Sequence, residues 1–180
     1  TLIIKMKNNN SKVLITGCAG FIGSNFVKSL INKNYNLIGV DNLRTGKEKF
    51  IVDFKKKKNF KFKKLDLLNK KDLDKLFKEK FEIIFHFAAN ADVRLGHKNP
   101  LSDLQYNTIM TSNLLEKCRE KRIKKFIFCS TGSIYGETKI IPTPENAEFP
   151  IQTSMYGASK LACEGLIQAY SEAYNLQCYI

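Results

Sequence analysis

Short apolar runs alternate with segments of helical periodicity along nearly the whole chain. Strand-like runs with few interruptions are typical of strands covered on both faces, and their alternation with helices predicts a parallel sheet. We therefore predict an α/β fold, a doubly wound parallel sheet in three α/β/α layers. The predicted strands are Lys12–Thr16, Asn36–Val40, Asn59–Leu65, Glu82–Phe87, Lys124–Ser130 and a sixth beginning near Gln177. The predicted helices are Phe21–Lys33, Asn69 to about Lys80 with Leu73, Leu76 and Phe77 buried, Leu101–Lys121 and Ser154–Tyr174.

A chain of 180 residues without an evident linker predicts one domain. We assign residues 12–180 to it and residues 1–11 to an N-terminal extension, since Met6 resembles a natural start. The segment Thr138–Pro150 carries three of the four prolines and is expected to be a surface loop. The last residues, from Gln177, have the pattern of a strand that is just beginning, so we expect the chain to be part of a longer protein.

The net charge of +13 does not by itself predict a nucleic-acid partner. Only four of the 30 basic residues are arginine, and the lysines lack interleaved aromatic residues, so we expect no nucleic-acid binding. No apolar run reaches the 18 residues of a membrane span, so we expect no membrane association.

The five cysteines indicate a reduced, cytoplasmic protein, since their number is odd and none forms a C-x-x-C pair. We therefore expect neither disulfides nor a metal site. His86, at the end of a predicted strand, is expected to be packed rather than to act as a ligand, and His97 has no partner cluster.

A glycine-rich segment, Gly17-Cys18-Ala19-Gly20-Phe21-Ile22-Gly23, joins the first strand to the first helix. Glycines allow a tight turn and a close approach of the backbone to a pyrophosphate, while the helix N-terminus offers free N–H groups to that anion. A turn that only packs the strand on the helix is the structural alternative. The strand–turn–helix context favours dinucleotide binding.

Asp41 ends the second strand, where a carboxylate can accept both ribose hydroxyls of an adenosine. Such a carboxylate repels a 2′-phosphate and so favours NAD over NADP. Arg44 lies close by and weakens that inference, because an arginine can accommodate the phosphate. A turn aspartate with no ligand is the alternative.

Tyr156 and Lys160 are four residues apart on a predicted helix and therefore share a face. A nearby ammonium lowers the pKa of a phenol, which would make Tyr156 an acid/base near neutral pH. An exposed helix face explains such a pair equally well. Small hydroxyl residues, Ser130 to Ser133, follow the fifth strand at the sheet edge where ligands bind, although a polar loop is the simpler explanation.

Together these motifs resemble the extended short-chain dehydrogenase/reductase family, and within it the NAD-dependent sugar-nucleotide epimerases and dehydratases. The resemblance covers residues 12–180 and is greatest to UDP-glucose 4-epimerases and close relatives. It implies a Rossmann-type fold with bound NAD. The motifs that carry it are TGCAGFIGS, VDNLRTG, LDLL, HFAANADVR, Asn107 in the long helix, STGSIYGE and YGASK.

The resemblance also implies a role for each matching position. Tyr156 would be the acid/base, Lys160 its partner and a ligand of the nicotinamide ribose, and Thr131 would bind the reacting sugar hydroxyl. The remaining positions divide by the part of NAD that they would contact. Gly17, Gly20, Phe21, Ile22 and Gly23 would hold the pyrophosphate, Asp41 and Asn42 the adenosine ribose, Asp66 and Leu67 the adenine, and Phe87, Ala88 and Ala89 the nicotinamide, with Asn107 a structural polar residue near the active site.

Two departures from the family pattern refine the expected reaction. Dehydratases of the family carry an Asp-Glu pair after the catalytic threonine, whereas Gly132 and Ser133 stand here, so dehydration is disfavoured. The family's C-terminal region, which binds the sugar nucleotide, does not follow the sixth strand in this chain.

We therefore expect an NAD-dependent 4-epimerase of a nucleotide sugar, most simply a UDP-sugar. A dehydratase, decarboxylase or reductase of the same family, and a non-catalytic NAD-binding fragment, remain alternatives. Relatives commonly form homodimers through the two long helices. Ile109, Leu114, Leu166 and Tyr170 could form such a contact here, although core packing explains them equally well.

Overall fold

The computed structural model describes residues 12–147 and 151–180 and contains a six-stranded, fully parallel sheet. The strand order is β3-β2-β1-β4-β5-β6. This order confirms the doubly wound fold, and its crossover direction reverses between β1 and β4. The strands are β1 Lys12–Thr16, β2 Asn36–Asp41, β3 Phe60–Lys64, β4 Ile83–His86, β5 Lys125–Phe128 and β6 Gln177–Tyr179.

Helices cover both faces of the sheet and give the predicted three layers. One apolar cluster joins the sheet to α2, α5 and α6, and a second joins it to α1 and to the segment around Ile51. The helices are α1 Phe21–Leu30, α2 Lys70–Leu76, α3 Leu95–Lys98, α4 Pro100–Asp103, α5 Met110–Lys121 and α6 Met155–Tyr174. Leu73, Leu76 and Phe77 are buried, as the helical spacing predicts.

Several predicted boundaries were too long because periodicity continues past the last regular hydrogen bond. Helix α1 ends at Leu30 rather than Lys33, and α2 ends at Leu76, with Phe77 as its C-cap, rather than near Lys80. The predicted ends of β3, β4 and β5 likewise belong to the flanking loops. The edge strand β3, FKFKK, is also more polar than predicted, and lysines on an edge discourage pairing with other chains.

The long helix predicted over Leu101–Lys121 is interrupted. Helix α4 leads into a wide π-helical turn, Leu104–Ile109, and only then into α5. A π turn inserts an extra residue into the helical ladder and frequently marks a functional site. Here it contains Asn107, whose buried side chain bonds to neighbouring elements instead of facing solvent.

The remaining predicted segments agree with the structure or lie outside it. Ser154 is the N-cap of α6, and its Oγ accepts a hydrogen bond from Gly157 N at 3.0 Å. Residues 138–147 form an irregular, mostly exposed loop. The N-terminal extension 1–11 and residues 148–150 lie outside the described residues.

Candidate cofactor and catalytic site

The glycine loop after β1 is packed so closely that side chains are excluded at two of its positions. Gly17 has φ +66°, and a Cβ there would lie 2.6 Å from Ala88 N. A Cβ on Gly23 would lie 2.1 Å from Gly17 O. The loop therefore sits against the end of β4, at the point where the strand crossovers reverse and where ligands of such sheets bind.

The N-terminus of α1 opens onto this loop. Gly20 is the N-cap, and the first turn, Phe21 to Gly23, lacks carbonyl partners within the helix for its N–H groups. Phe21 is 81% exposed and Ile22 is 52% exposed, so their side chains stay clear of the core. The arrangement offers N–H groups and the positive end of the helix dipole to an anion.

Asp41 is buried at the end of β2 and organises the loop that follows. Its Oδ2 accepts from Ala19 N at 3.0 Å and its Oδ1 accepts from Leu43 N at 2.8 Å. These bonds tie the glycine loop to the loop after β2. Each carboxylate oxygen can accept a further bond from a ligand hydroxyl.

A cavity of about 360 Å³ lies between these loops and the end of β4. Eleven residues predicted for the cofactor line it: Gly17, Gly20, Phe21, Ile22, Gly23, Asp41, Asn42, Leu67, Phe87, Ala88 and Ala89. Sequence reasoning did not assign eight others to the site: Val40, Arg44, Thr45, Gly46, Leu65, Ala91, Tyr106 and Met110. Position at the carboxyl end of a strand was a signal for Val40 and Leu65, whereas nothing in the sequence marked Tyr106 or Met110.

The four other residues predicted for the cofactor do not line this cavity, nor does Thr131, which was predicted for catalysis. Asp66 contacts the cavity-lining residue Asn42, whose Nδ2 donates to Asp66 Oδ2 at 3.3 Å. Asn107, Tyr156 and Lys160 lie farther along the sheet edge, around the N-terminus of α6.

The half-buried Tyr156 hydroxyl lies beside the Thr131 side chain, near enough for the threonine hydroxyl to affect the pKa of the phenol. The structure thus brings together the predicted acid/base and the predicted sugar-binding hydroxyl. Burial raises the pKa of Tyr156, and the neighbouring Thr131 hydroxyl opposes that rise. The prediction that Lys160 lowers the pKa of Tyr156 is therefore wrong, because this pKa is raised in the structure.

The reason lies in Lys160, which shares the helix face but points elsewhere. Its Nζ donates to Cys129 O at 2.5 Å and lies 3.8 Å from the Phe128 ring centroid. The ammonium is thereby buried against β5 rather than placed on the phenol, and burial lowers its own pKa. Spacing of four residues fixed the helix face correctly but could not fix the direction of a long side chain.

Asn107 belongs to a buried polar network that joins three elements. Its Oδ1 accepts from Asn90 N at 2.8 Å, and its Nδ2 donates to Ser159 Oγ at 2.8 Å. Asp103, which the sequence analysis did not single out, is 1% exposed and accepts from Asn90 Nδ2 at 2.7 Å. The network fixes the π turn against α6, one turn from Tyr156.

His86 is packed, as expected, and its partners are side-chain hydroxyls. Thr16 Oγ1, which accepts from Ala88 N at 3.2 Å, lies 2.7 Å from His86 Nδ1. His86 Nε2 lies 3.0 Å from Thr111 Oγ1, so both ring nitrogens are hydrogen-bonded to hydroxyl groups. Burial, assisted by the charge of Lys160, lowers the pKa of His86 to about 3.

Acid is expected to destabilise the protein through His86. Below the ordinary histidine pKa of about 6.5, His86 binds a proton in the unfolded chain but stays neutral in the folded chain. The free energy of unfolding therefore decreases as the pH is lowered. Between pH 7 and pH 5 the free energy of unfolding should decrease by about 2 kcal/mol, measurable by urea denaturation. The His86→Gln variant should lose this dependence, whereas His97→Gln, at an exposed position, should keep it. Equal slopes in the two variants would contradict the assignment.

The residues around the cavity fit a dinucleotide. Glycines fill the positions where a Cβ would strike backbone, and a helix N-terminus and a buried carboxylate stand on either side of the loop. Within the described residues no cluster of three or more His, Cys, Asp or Glu could hold a metal. No described helix is both long and apolar enough to span a membrane.

Fold and site together define a dinucleotide-binding domain. The sequence model of the NAD dependent epimerase/dehydratase family matches residues 13–180, and the chain belongs to this family. NAD is accordingly its cofactor.

Similar proteins are nucleotide-sugar epimerases. The UDP-glucose 4-epimerase of Mycolicibacterium smegmatis is 34% identical over 170 residues, which cover 93% of this chain and 53% of that protein. The solved UDP-Glc/GlcNAc 4-epimerase of Campylobacter jejuni has a TM-score of 0.87 at 36% identity, covering 92% of this chain and 50% of that one. The UDP-glucuronic acid 4-epimerase of Bacillus cereus, solved with UDP-glucuronic acid and NAD, has a TM-score of 0.85 at 34% identity, covering 94% of this chain and 55% of that one. The chain thus spans about half the length of these relatives.

Proposed function

We propose that the full-length protein is an NAD-dependent 4-epimerase of a UDP-sugar. The observation that carries this proposal is the placement of the Tyr156 hydroxyl beside the Thr131 side chain, at the same sheet edge as the dinucleotide cavity. The UDP-sugar specificity of the similar proteins supports the substrate class.

In the proposed reaction, Tyr156 accepts the proton of a sugar hydroxyl and later returns it, while Thr131 holds that hydroxyl in place. NAD⁺, when bound, supplies the hydride acceptor and a positively charged ring that favours the phenolate over the phenol. We assign the pyrophosphate to the glycine loop and the first turn of α1, and the adenosine ribose to Asp41 and Asn42. Asp66 and Leu67 are assigned to the adenine, and Phe87, Ala88 and Ala89 to the nicotinamide side.

Lys160 and Asn107 are proposed to position Thr131 and Tyr156. Lys160 holds the carbonyl of Cys129 and so fixes the strand end that precedes Thr131. Asn107 holds α6 through Ser159, whose Oγ donates to the carbonyl of Tyr156 at 2.8 Å. Both contacts determine where the phenol stands relative to the sheet edge.

The residues after Thr131 favour epimerisation over dehydration. Gly132 and Ser133 form a tight turn in which Ser133 N donates to Thr131 Oγ1 at 3.2 Å. Neither can supply the carboxylates that elimination of water would need. The proposed epimerisation requires only the Tyr156 phenol, the Thr131 hydroxyl and NAD.

Product analysis tests the reaction type. Full-length protein incubated with UDP-glucose should form UDP-galactose to an equilibrium mixture, with no accumulation of reduced nicotinamide absorbance. Stoichiometric NADH would instead identify a net oxidation, as in a decarboxylase or dehydrogenase. A dehydrated keto-sugar would identify a dehydratase.

We further propose that residues 12–180 form the NAD-binding domain and that this chain alone does not turn over a nucleotide sugar. A cytoplasmic location is supported by the five cysteines, all of which are free thiols. A homodimer through the helical segment 101–121 and α6 is also proposed. Of the four residues considered for that contact, Leu114 is fully buried and Leu166 and Tyr170 pack on the core, which leaves Ile109, 44% exposed, as the best candidate.

A further inference from the structure

Arg44 and Tyr106 meet across the cofactor cavity. The guanidinium carbon of Arg44 lies 4.1 Å from the centroid of the Tyr106 ring, and both residues line the cavity. Arg44 is exposed and Tyr106 is half-buried, so their contact lies on the solvent side. A cation over an aromatic face is an attractive contact, and it strengthens as water is excluded.

The loop after β2 fixes the backbone of Arg44. Leu43 adopts a left-handed conformation with φ 61°, and its N–H is bound by Asp41. Arg44 N donates to Asn42 Oδ1 at 2.9 Å. Within residues 12–147 and 151–180 the guanidinium forms no ion pair, and the Tyr106 ring is its partner.

The π turn fixes Tyr106. The next residue, Asn107, is bound to Asn90 N on one side and to Ser159 Oγ on the other. The Arg44–Tyr106 contact therefore connects the loop on the adenosine side of the cavity with the element that packs against the catalytic helix α6.

We propose that Arg44 and Tyr106 form a clasp over bound NAD that slows its release. Two anchored loops must separate for a ligand beneath their contact to leave, so breaking the contact adds to the barrier for dissociation. The inference rests on NAD as the cofactor of the family and does not depend on which nucleotide sugar reacts. Slow release suits an enzyme that reuses the same NAD in every cycle, as the proposed function requires.

The test measures cofactor release without any sugar. Full-length protein is loaded with NADH, mixed with excess NAD, and the loss of bound-NADH fluorescence is followed by stopped flow. Arg44→Ala and Tyr106→Leu should each accelerate release about tenfold, which corresponds to about 1.4 kcal/mol. Tyr106→Phe keeps the ring and should stay within about twofold of the wild type.

The double variant distinguishes a clasp from two independent contacts. Arg44→Ala combined with Tyr106→Leu should release NADH no faster than about twice the rate of either single variant, because one contact can be lost only once. Rates that multiply to about a hundredfold would overturn the proposal. So would an unchanged rate in Arg44→Ala, an exposed position whose replacement leaves the core intact even if Tyr106→Leu disturbs the π turn. Because no nucleotide sugar is present, the outcome is independent of whether the protein epimerises one.

Discussion

Replacing Gly23 by valine is expected to abolish NAD binding. A Cβ at position 23 would lie 2.1 Å from Gly17 O, 2.8 Å from Gly17 C and 2.9 Å from Cys18 Cα. All three are backbone atoms of the same loop, so they cannot move aside as a flexible side chain could. The loop can accept the side chain only by moving away from the helix N-terminus, and this movement destroys the anion site. We expect the Kd for NAD to rise about a hundredfold or more, about 2.8 kcal/mol, by titration calorimetry.

Gly165→Ala is the matched control, since nothing lies within 4 Å of a Cβ at that position. Gly165 is an exposed residue in the interior of α6, so alanine should leave NAD binding unchanged and stabilise the protein by about 0.5–1 kcal/mol. Circular dichroism of Gly23→Val separates loss of the site from loss of the fold. A folded Gly23→Val variant with wild-type affinity would show that the pyrophosphate does not lie in this loop.

The Tyr156→Phe variant should lose nearly all epimerase activity while it still binds NAD. Phenylalanine keeps the ring in its half-buried position but removes the hydroxyl that exchanges the proton with the sugar in the proposed reaction. General acid–base groups contribute about 10²–10⁴-fold to rates. We expect kcat to fall about a thousandfold, about 4 kcal/mol of barrier, in an assay of UDP-galactose formation by full-length protein.

Tyr170→Phe makes the same chemical change on the same helix, away from the site. Its hydroxyl donates to Glu116 Oε2 at 3.1 Å on the surface of α5, so kcat should stay within about twofold of the wild type. Activity of Tyr156→Phe within about tenfold of the wild type would refute the role proposed for Tyr156.

Local patterns predicted the fold, and they singled out most of the residues that line the cavity. The glycine spacing between Gly17 and Gly23 predicted a turn that only glycine fits, and the structure shows the close backbone approach responsible. Asp41 was identified because parallel strands present their carboxyl ends at one edge of the sheet. In each case the determining contacts lie within one strand–turn unit or its immediate neighbour.

Contacts between distant segments could not be predicted in the same way. The spacing from Tyr156 to Lys160 places both side chains on one helix face, yet the position of Cys129 O directs the ammonium away from the phenol. The stacking of Arg44 on Tyr106 depends on a left-handed loop and a π turn far apart in the chain. Periodicity carries no information on either feature.

UDP-glucose carrying deuterium at C4 provides the most direct test of epimerisation through a bound NAD. Hydride removed from that carbon and returned to its other face never meets water, so the full-length protein should form UDP-galactose that retains deuterium at C4. NMR of the product mixture at equilibrium measures the label in both sugars. Loss of the deuterium to solvent would show that the carbon is deprotonated rather than oxidised, and would contradict the account.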